Sequence, residues 1–333
     1  MFVDLLRFVA ALQMLQGHTI AALLAHAHRS GPVYQLWSQA RGLTSVAFLF
    51  AAGVSFQLAT ESEARAADPL AARRRRRRAL RLIGLGYLLH LPLAAAFTTD
   101  PAVRAAALRE FMAVDVLQCI GVCVLALEGL RRAVPKARAR TAISVALGVG
   151  CLAVAPLAWM WPGDGPLAPL LAYLTPRTGS IFPLVPWAAH LFFGFAVGAL
   201  VRAPGRLGTT GRLLALTTLA ALASALCAHW VESRVVLGHV SRLAWVLGVS
   251  SALSALGDRL ARVPPRIAQL AGHTLLLYVF HVLLVYGQGV GLASWIGPRL
   301  SPLAAAAAAA LVVLASCGVA LYWDRLARAR RTG

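Results

Sequence analysis

The sequence predicts an all-α, polytopic membrane protein of about ten transmembrane helices, with the N and C termini both cytoplasmic. Three observations carry this. The 333 residues are 59% hydrophobic and only 13% charged, against about 25% charged in an ordinary soluble domain. Apolar runs of about 20 residues recur from end to end. Lysine and arginine fall overwhelmingly into alternate connections, as the positive-inside rule requires.

The apolar runs fall at 3–24, 42–60, 79–98, 112–130, 141–161, 183–201, 213–230, 241–257, 272–294 and 303–323. The last contains a polyalanine run, weaker than leucine or isoleucine as an insertion signal. The connections 61–81, 131–140, 202–212, 258–266 and 324–333 hold 23 of the 32 lysines and arginines, and the alternate set holds eight. The whole chain, 1–333, reads as one membrane domain in the cell membrane, with lipid as its constant partner. An A-x-A site at Ala25-His26-Ala27 would suit signal cleavage, but Asp4 stands where a basic n-region belongs, so the first segment is expected to be retained.

The formal charge of +20 does not indicate nucleic acid, because the aromatic residues lie inside apolar runs and not among the basic ones. Arg73–Arg78 has two readings, enforcement of topology or a grip on phosphates of nucleotide or anionic lipid. The five cysteines all lie in apolar segments without metal-ligand spacing. Cys119 and Cys123 share a helix face and read as packing. No metal is expected.

Ionisable groups inside spans are costly and mark function by default. Glu128, near the cytoplasmic end of the fourth span, is expected to pair with Arg131 or Arg132. Asp4 and Arg7 share a face of the first span, either as a neutralising pair or as a site for an anionic donor. His18 lies eleven residues beyond Arg7, about 16 Å along the helix and nearly three turns away, so both face one groove. An imidazole there suits proton transfer near neutral pH. His90, Asp115, Gln118, Trp187, His190, Tyr278 and His281 fall at similar depth and predict a shared polar cavity.

The residues resemble a known family at several points. Asp4-Leu-Leu-Arg7, ten residues and His18 resemble the R-x10-H signature of integral-membrane acyltransferases. GLTSVAFLFAAGVSF (42–56) is similar to their F-x-F-x-x-G-x-S second helix. VDVLQCIGV (114–122), FPLVPWAAHLFFGFAVG (182–198) and GHTLLLYVFH (272–281) complete a set that resembles the heparan-α-glucosaminide N-acetyltransferase-like family, with the acyltransferase-3 type as a relative. The likeness spans a core of residues 4–286.

The resemblance implies transfer of an acyl group, acetyl above all, from cytosolic acetyl-CoA or another acyl-CoA to a sugar amine or hydroxyl on the far side. His18 becomes the leading catalytic residue, with Asp115 orienting an imidazole or binding the acceptor. Arg7 and Asp4 would bind the donor, and Gln118, Trp187, His190, Tyr278 and His281 the glycan or amino-sugar acceptor. Family members with an acyl-carrier histidine in the loop after the first helix make His28 a further catalytic candidate. The chain departs from the family at Phe8, where a glycine is usual after the motif arginine. An acyl-histidine intermediate, acyl chain length and homo-oligomerisation stay open. So does a second class of function, a proton-coupled small-molecule carrier using the intramembrane His and Asp groups.

Overall fold

The computed structural model describes residues 1–61, 68–92, 98–203, 205–230, 233–260, 262–287 and 289–332. Glu63, Glu232 and Arg65, and the stretch 93–97 of the third expected span, lie outside the described residues. The protein is 82% helix, with no β-strand among the described residues and one isolated bridge joining Leu24 to Leu300.

Among the described residues six helices are long and apolar enough to cross a membrane: α2 (Gly31–Thr60), α6 (Ala137–Met160), α8 (Leu184–Arg202), α9 (Thr209–Trp230), α10 (Arg234–Arg259) and α14 (Pro302–Thr332). Two bent pairs raise the number to eight. They are α4 (Pro101–Met112) with α5 (Val116–Ala133), bent by 43°, and α11 (Pro265–Gly272) with α12 (Thr274–Tyr286), bent by 67°. The two remaining expected spans form helices of adequate length that are more polar: α1 (Phe2–Leu23), with Asp4, Arg7 and His18, and α3 (Pro69–Leu89), with its arginine run. The short helices α7 (Ala168–Leu171) and α13 (Leu292–Trp295) belong to connections.

Several boundaries differ from the apolar runs, for local reasons. Arg73–Arg78 is helical and not loop. Asp68 caps α3 by accepting the amide of Leu70 at 2.8 Å, Pro69 occupies the first helical position, and arginine is a good helix former. Asp100 and Pro101 start α4 the same way within an expected loop. α10 begins at Arg234, seven residues before the apolar run, which brings His239 onto the helix that carries Arg242.

The chain forms two compact units. The first comprises Met1–Ala47 and Ala252–Gly333, and the second Phe48–Ser251. In the first, α1 packs against α11, α12 and α14. Its far end is pinned by Ala25 N–H to the Leu300 carbonyl and Leu300 N–H to the Leu23 carbonyl, each 2.9 Å.

In the second unit α3 packs on α5, and α8 on α5 and α6. Its core joins Leu49, Phe56, Cys119, Cys123, Leu127, Leu191, Phe192 and Phe195, so Cys119 and Cys123 do pack. α2 and α8 touch backbone to backbone. A Cβ on Gly53 would overlap the Leu191 carbonyl, and one on Gly194 the Phe50 carbonyl, which is how small residues let membrane helices approach. These are glycines of the two motif helices. Near the start of α8, where Val185 is non-helical, Trp159 donates its indole N–H to the Val185 carbonyl at 2.9 Å. The carboxylate of Glu128, 2% exposed, binds Arg75 at 2.9 Å, Arg131 at 2.8 Å and Arg132 at 3.4 Å. The expected partners are there, and the arginine run supplies a third.

Candidate active site

In the first unit His18 and His281 meet. Nδ1 of His18 lies 2.9 Å from Nε2 of His281, and the rings stack at 5.1 Å between centroids. Nδ1 of His281 lies 2.9 Å from the Leu277 carbonyl, one turn back on α12. A carbonyl only accepts, so Nδ1 of His281 carries the proton. His281 is fully buried, where a charged ring costs more than a neutral one, and a neutral ring presents a lone pair at Nε2. His18 must therefore donate from Nδ1, which leaves the lone pair on its own Nε2. That nitrogen bonds to nothing among the described residues, and His18 itself is half-buried. The hydrogen-bond chain thus assigns both tautomers.

The surroundings fix this pair. Tyr278 stands edge-on to His281 at 5.6 Å, and Tyr286 edge-on to His18 at 5.9 Å. The Tyr286 hydroxyl donates to the His18 carbonyl at 3.0 Å. Across the neighbouring turn, Gln16 accepts the indole N–H of Trp37 at 3.1 Å, and the Arg41 guanidinium lies 5.5 Å from the centre of that indole. Gly17 admits Arg41 closely, since a Cβ there would stand 2.8 Å from Arg41 Cγ. The charge of Arg41 bears on His18 electrostatically.

Arg7 donates to Thr274 Oγ1 at 3.1 Å, at the start of α12. The neutralising Asp4–Arg7 pair does not form; Asp4 is 3.9 Å from the amine of Met1. His28 is exposed on the 3₁₀ turn His26–His28 and shares no side-chain bond with the pair.

The second unit holds the other expected polar residues. Asp115 and Gln118 form a reciprocal capping box at the start of α5, with Asp115 also accepting the amide of Val116 at 2.6 Å. Nε2 of Gln118 is buried without a partner among the described residues. His190 Nε2 lies 2.9 Å from His239 Nδ1, and Trp187 stands edge-on to both rings. His90 bonds the Gly86 carbonyl at 2.9 Å. Of the expected residues, His18, Tyr278 and His281 come together in the first unit and Trp187 and His190 in the second, whereas Asp115 and Gln118 form a cap and His90 bonds its own helix. Among the described residues no three of His, Cys, Asp and Glu come together as a metal site requires.

Sequence reasoning missed Trp37, Arg41, His239, Arg242 and Tyr286. Arg41 lay in an expected loop and Arg242 at the very edge of an expected span, and their only signal was that helical register would continue through polar positions.

The described residues thus form a helical protein with helices apolar enough to cross a membrane and an imidazole pair inside its first unit. The chain belongs to the family described as heparan-alpha-glucosaminide N-acetyltransferase, catalytic, whose family model matches residues 1–229. It is therefore a member of a membrane acetyltransferase family. No curated protein and no solved structure matches the chain. Arg7, His18 and His190 lie within the matched residues, whereas His239, Arg242 and His281 lie beyond them.

Proposed function

We propose that the protein transfers an acyl group, acetyl in the first instance, from cytosolic acyl-CoA to a sugar amine or hydroxyl on the extracytoplasmic side of the cell membrane. The observation that carries this reading is the chain from the Leu277 carbonyl through His281 to His18, which leaves a basic nitrogen at His18 Nε2.

His18 Nε2 takes the proton from the acceptor N–H or O–H as that atom attacks the thioester carbonyl carbon. The tetrahedral adduct collapses with cleavage of the C–S bond, and the departing thiolate recovers the proton from His18. Products are the acylated sugar and CoA. His281 is a positioning residue: it holds the His18 tautomer and ring orientation. Arg41, whose charge reaches His18, stabilises the oxyanion of the adduct. Arg7, eleven residues toward the other end of α1, holds the anionic part of the donor, with Asp4 at the mouth. The asymmetry of lysine and arginine supports ten spans with both termini cytoplasmic, which puts Arg7 on the donor side and His18 toward the acceptor.

Asp115 and Gln118 act as a helix cap in this reading, and His28 has no part in the proton path. Family membership favours the enzyme over a proton-coupled carrier. The test is transfer of radiolabel from acetyl-CoA to a panel of amino sugars and glycans by detergent-purified protein, beside His18→Ala. Label reaching an acceptor with wild type alone supports the assignment. A folded His18→Ala protein with full transfer sinks it.

A further inference from the structure

Arg242 is a guanidinium inside a membrane-crossing helix, eight residues from the start of α10 and so about 12 Å along it. It is half-buried, and it has no hydrogen bond or ion pair to any side chain among the described residues. An arginine at such a position normally pairs with a carboxylate or with backbone carbonyls, and where it does not it marks a ligand path. Elsewhere in the same unit the rule is kept, since Arg75 and Arg131 both close on Glu128.

Among the described residues the groups that feel the charge of Arg242 are imidazoles. His239, three residues earlier, shares its helix face, and its ring is hydrogen-bonded to His190 of α8. The charge of Arg242 reaches both imidazoles. His190 is 1% exposed, yet its Nδ1 has no partner among the described residues. A buried ring nitrogen left unmade is expensive, so a cation and an orphaned polar atom occur in one cluster. The indole of Trp187, half-buried and edge-on to both histidines at 4.7 and 6.2 Å, supplies an aromatic wall.

We propose that Arg242, His239, His190 and Trp187 form a binding site for an oxyanion (carboxylate, sulfate or phosphate) borne on a ligand with an apolar face for the indole. The guanidinium fork matches such an oxyanion with two parallel N–H donors. A neutral His pair beside it adds a donor without the repulsion that a second fixed cation would bring. A carboxylate side chain would have neutralised Arg242 permanently; among the described residues none pairs with it, which leaves the charge for a ligand. This site lies within the second unit and stands apart from acyl transfer at His18. The oxyanion has two sources, a water-soluble acidic sugar or the headgroup of an anionic lipid, and the test separates them.

Purified wild type in neutral detergent is titrated calorimetrically with glucuronate, glucose 6-phosphate and glucose. In parallel its melting temperature is taken in nanodiscs of phosphatidylcholine, with and without phosphatidylglycerol. The expected result is at least tenfold preference for one acidic sugar over glucose, or a stabilisation by phosphatidylglycerol, with the responding arm naming the source. Arg242→Gln abolishes the response, and Arg242→Lys keeps part of it, having charge without the fork. No preference for the acidic ligand in either arm, or an undiminished one in folded Arg242→Gln, overturns the site. If Arg242→Gln does not fold, His190→Gln decides: a weakened response supports the site, and an unchanged one overturns it.

Discussion

Replacing His281 by leucine removes the acceptor that holds the Nδ1 proton of His18 across 2.9 Å. The Leu277 carbonyl loses a second donor but keeps its place in the helix, and a buried polar ring is exchanged for an apolar side chain of similar size. The fold should therefore survive. A neutral hydrogen bond is worth about 0.5–1.5 kcal/mol net, and about 1.4 kcal/mol is tenfold in rate. His281→Leu should accordingly slow kcat roughly twofold to tenfold by releasing His18 to carry its proton on the wrong nitrogen. His18→Ala deletes the base itself and should cost about a hundredfold or more. Glutamine at 281 offers an amide oxygen to His18 and should recover most of the loss. KM for acetyl-CoA should stay constant through the 281 series, because Arg7 and its bond to Thr274 are untouched. The assay is steady-state label transfer with the melting temperature of each variant alongside. Wild-type kcat in His281→Leu would refute the positioning role. So would a loss as deep as that of His18→Ala, since His281 would then be carrying the proton itself.

Three further outcomes follow from the packing. Gly194→Ala pushes a methyl into the Phe50 carbonyl and should destabilise by about 1–3 kcal/mol. Gly150→Ala on α6, with open space around it, should hold or raise the melting temperature, and equal effects would refute the close-approach argument. Glu128→Ala strips Arg75 and Arg131, both largely buried, of their shared carboxylate and should cost about 3–5 kcal/mol in thermal unfolding, with Glu128→Gln milder. Asp115→Asn should keep both cap and transfer activity, whereas Asp115→Ala should lose about 1 kcal/mol of stability; a folded Asp115→Asn with a hundredfold loss of kcat would assign chemistry to the carboxylate.

The sequence revealed what lies within one helix and little of what lies between helices. Arg7 and His18 were legible because eleven residues bring the helix back to one face. The pairing of Glu128 with Arg131 and Arg132 was legible for the same reason, three and four residues on. Arg75 reaches the same carboxylate from 53 residues away, and His281 reaches His18 from 263 away. No periodicity relates such positions, so His281 stood as one polar residue among several at one depth. Helix starts were misjudged where polar residues interrupted an apolar run, at Arg73–Arg78 and at 234–240. A helix satisfies its own backbone whatever its side chains are, so hydropathy ended those segments before the hydrogen bonds did.

Those interruptions are where the polar sites lie. α1 and α3 are the two expected spans less apolar than the rest, and the early turns of α10 are the stretch that hydropathy assigned to a loop. Their polar groups are not equivalent. Arg75 meets a carboxylate that it shares with Arg131 and Arg132, and that contact ties helices together. His18 also meets a partner, but an imidazole has two nitrogens, and the chain beginning at the Leu277 carbonyl settles only one of them. A hydrogen-bond chain anchored at one end by a carbonyl has a fixed direction, and its other end must be a lone pair. That directional end, held on α1 and in helical register with Arg7, is what the proposed function reads as a base. A partner that accepts from His18 and is itself anchored at the Leu277 carbonyl imposes it, so on the proposed reading exchanging His281 for an apolar residue should change the rate.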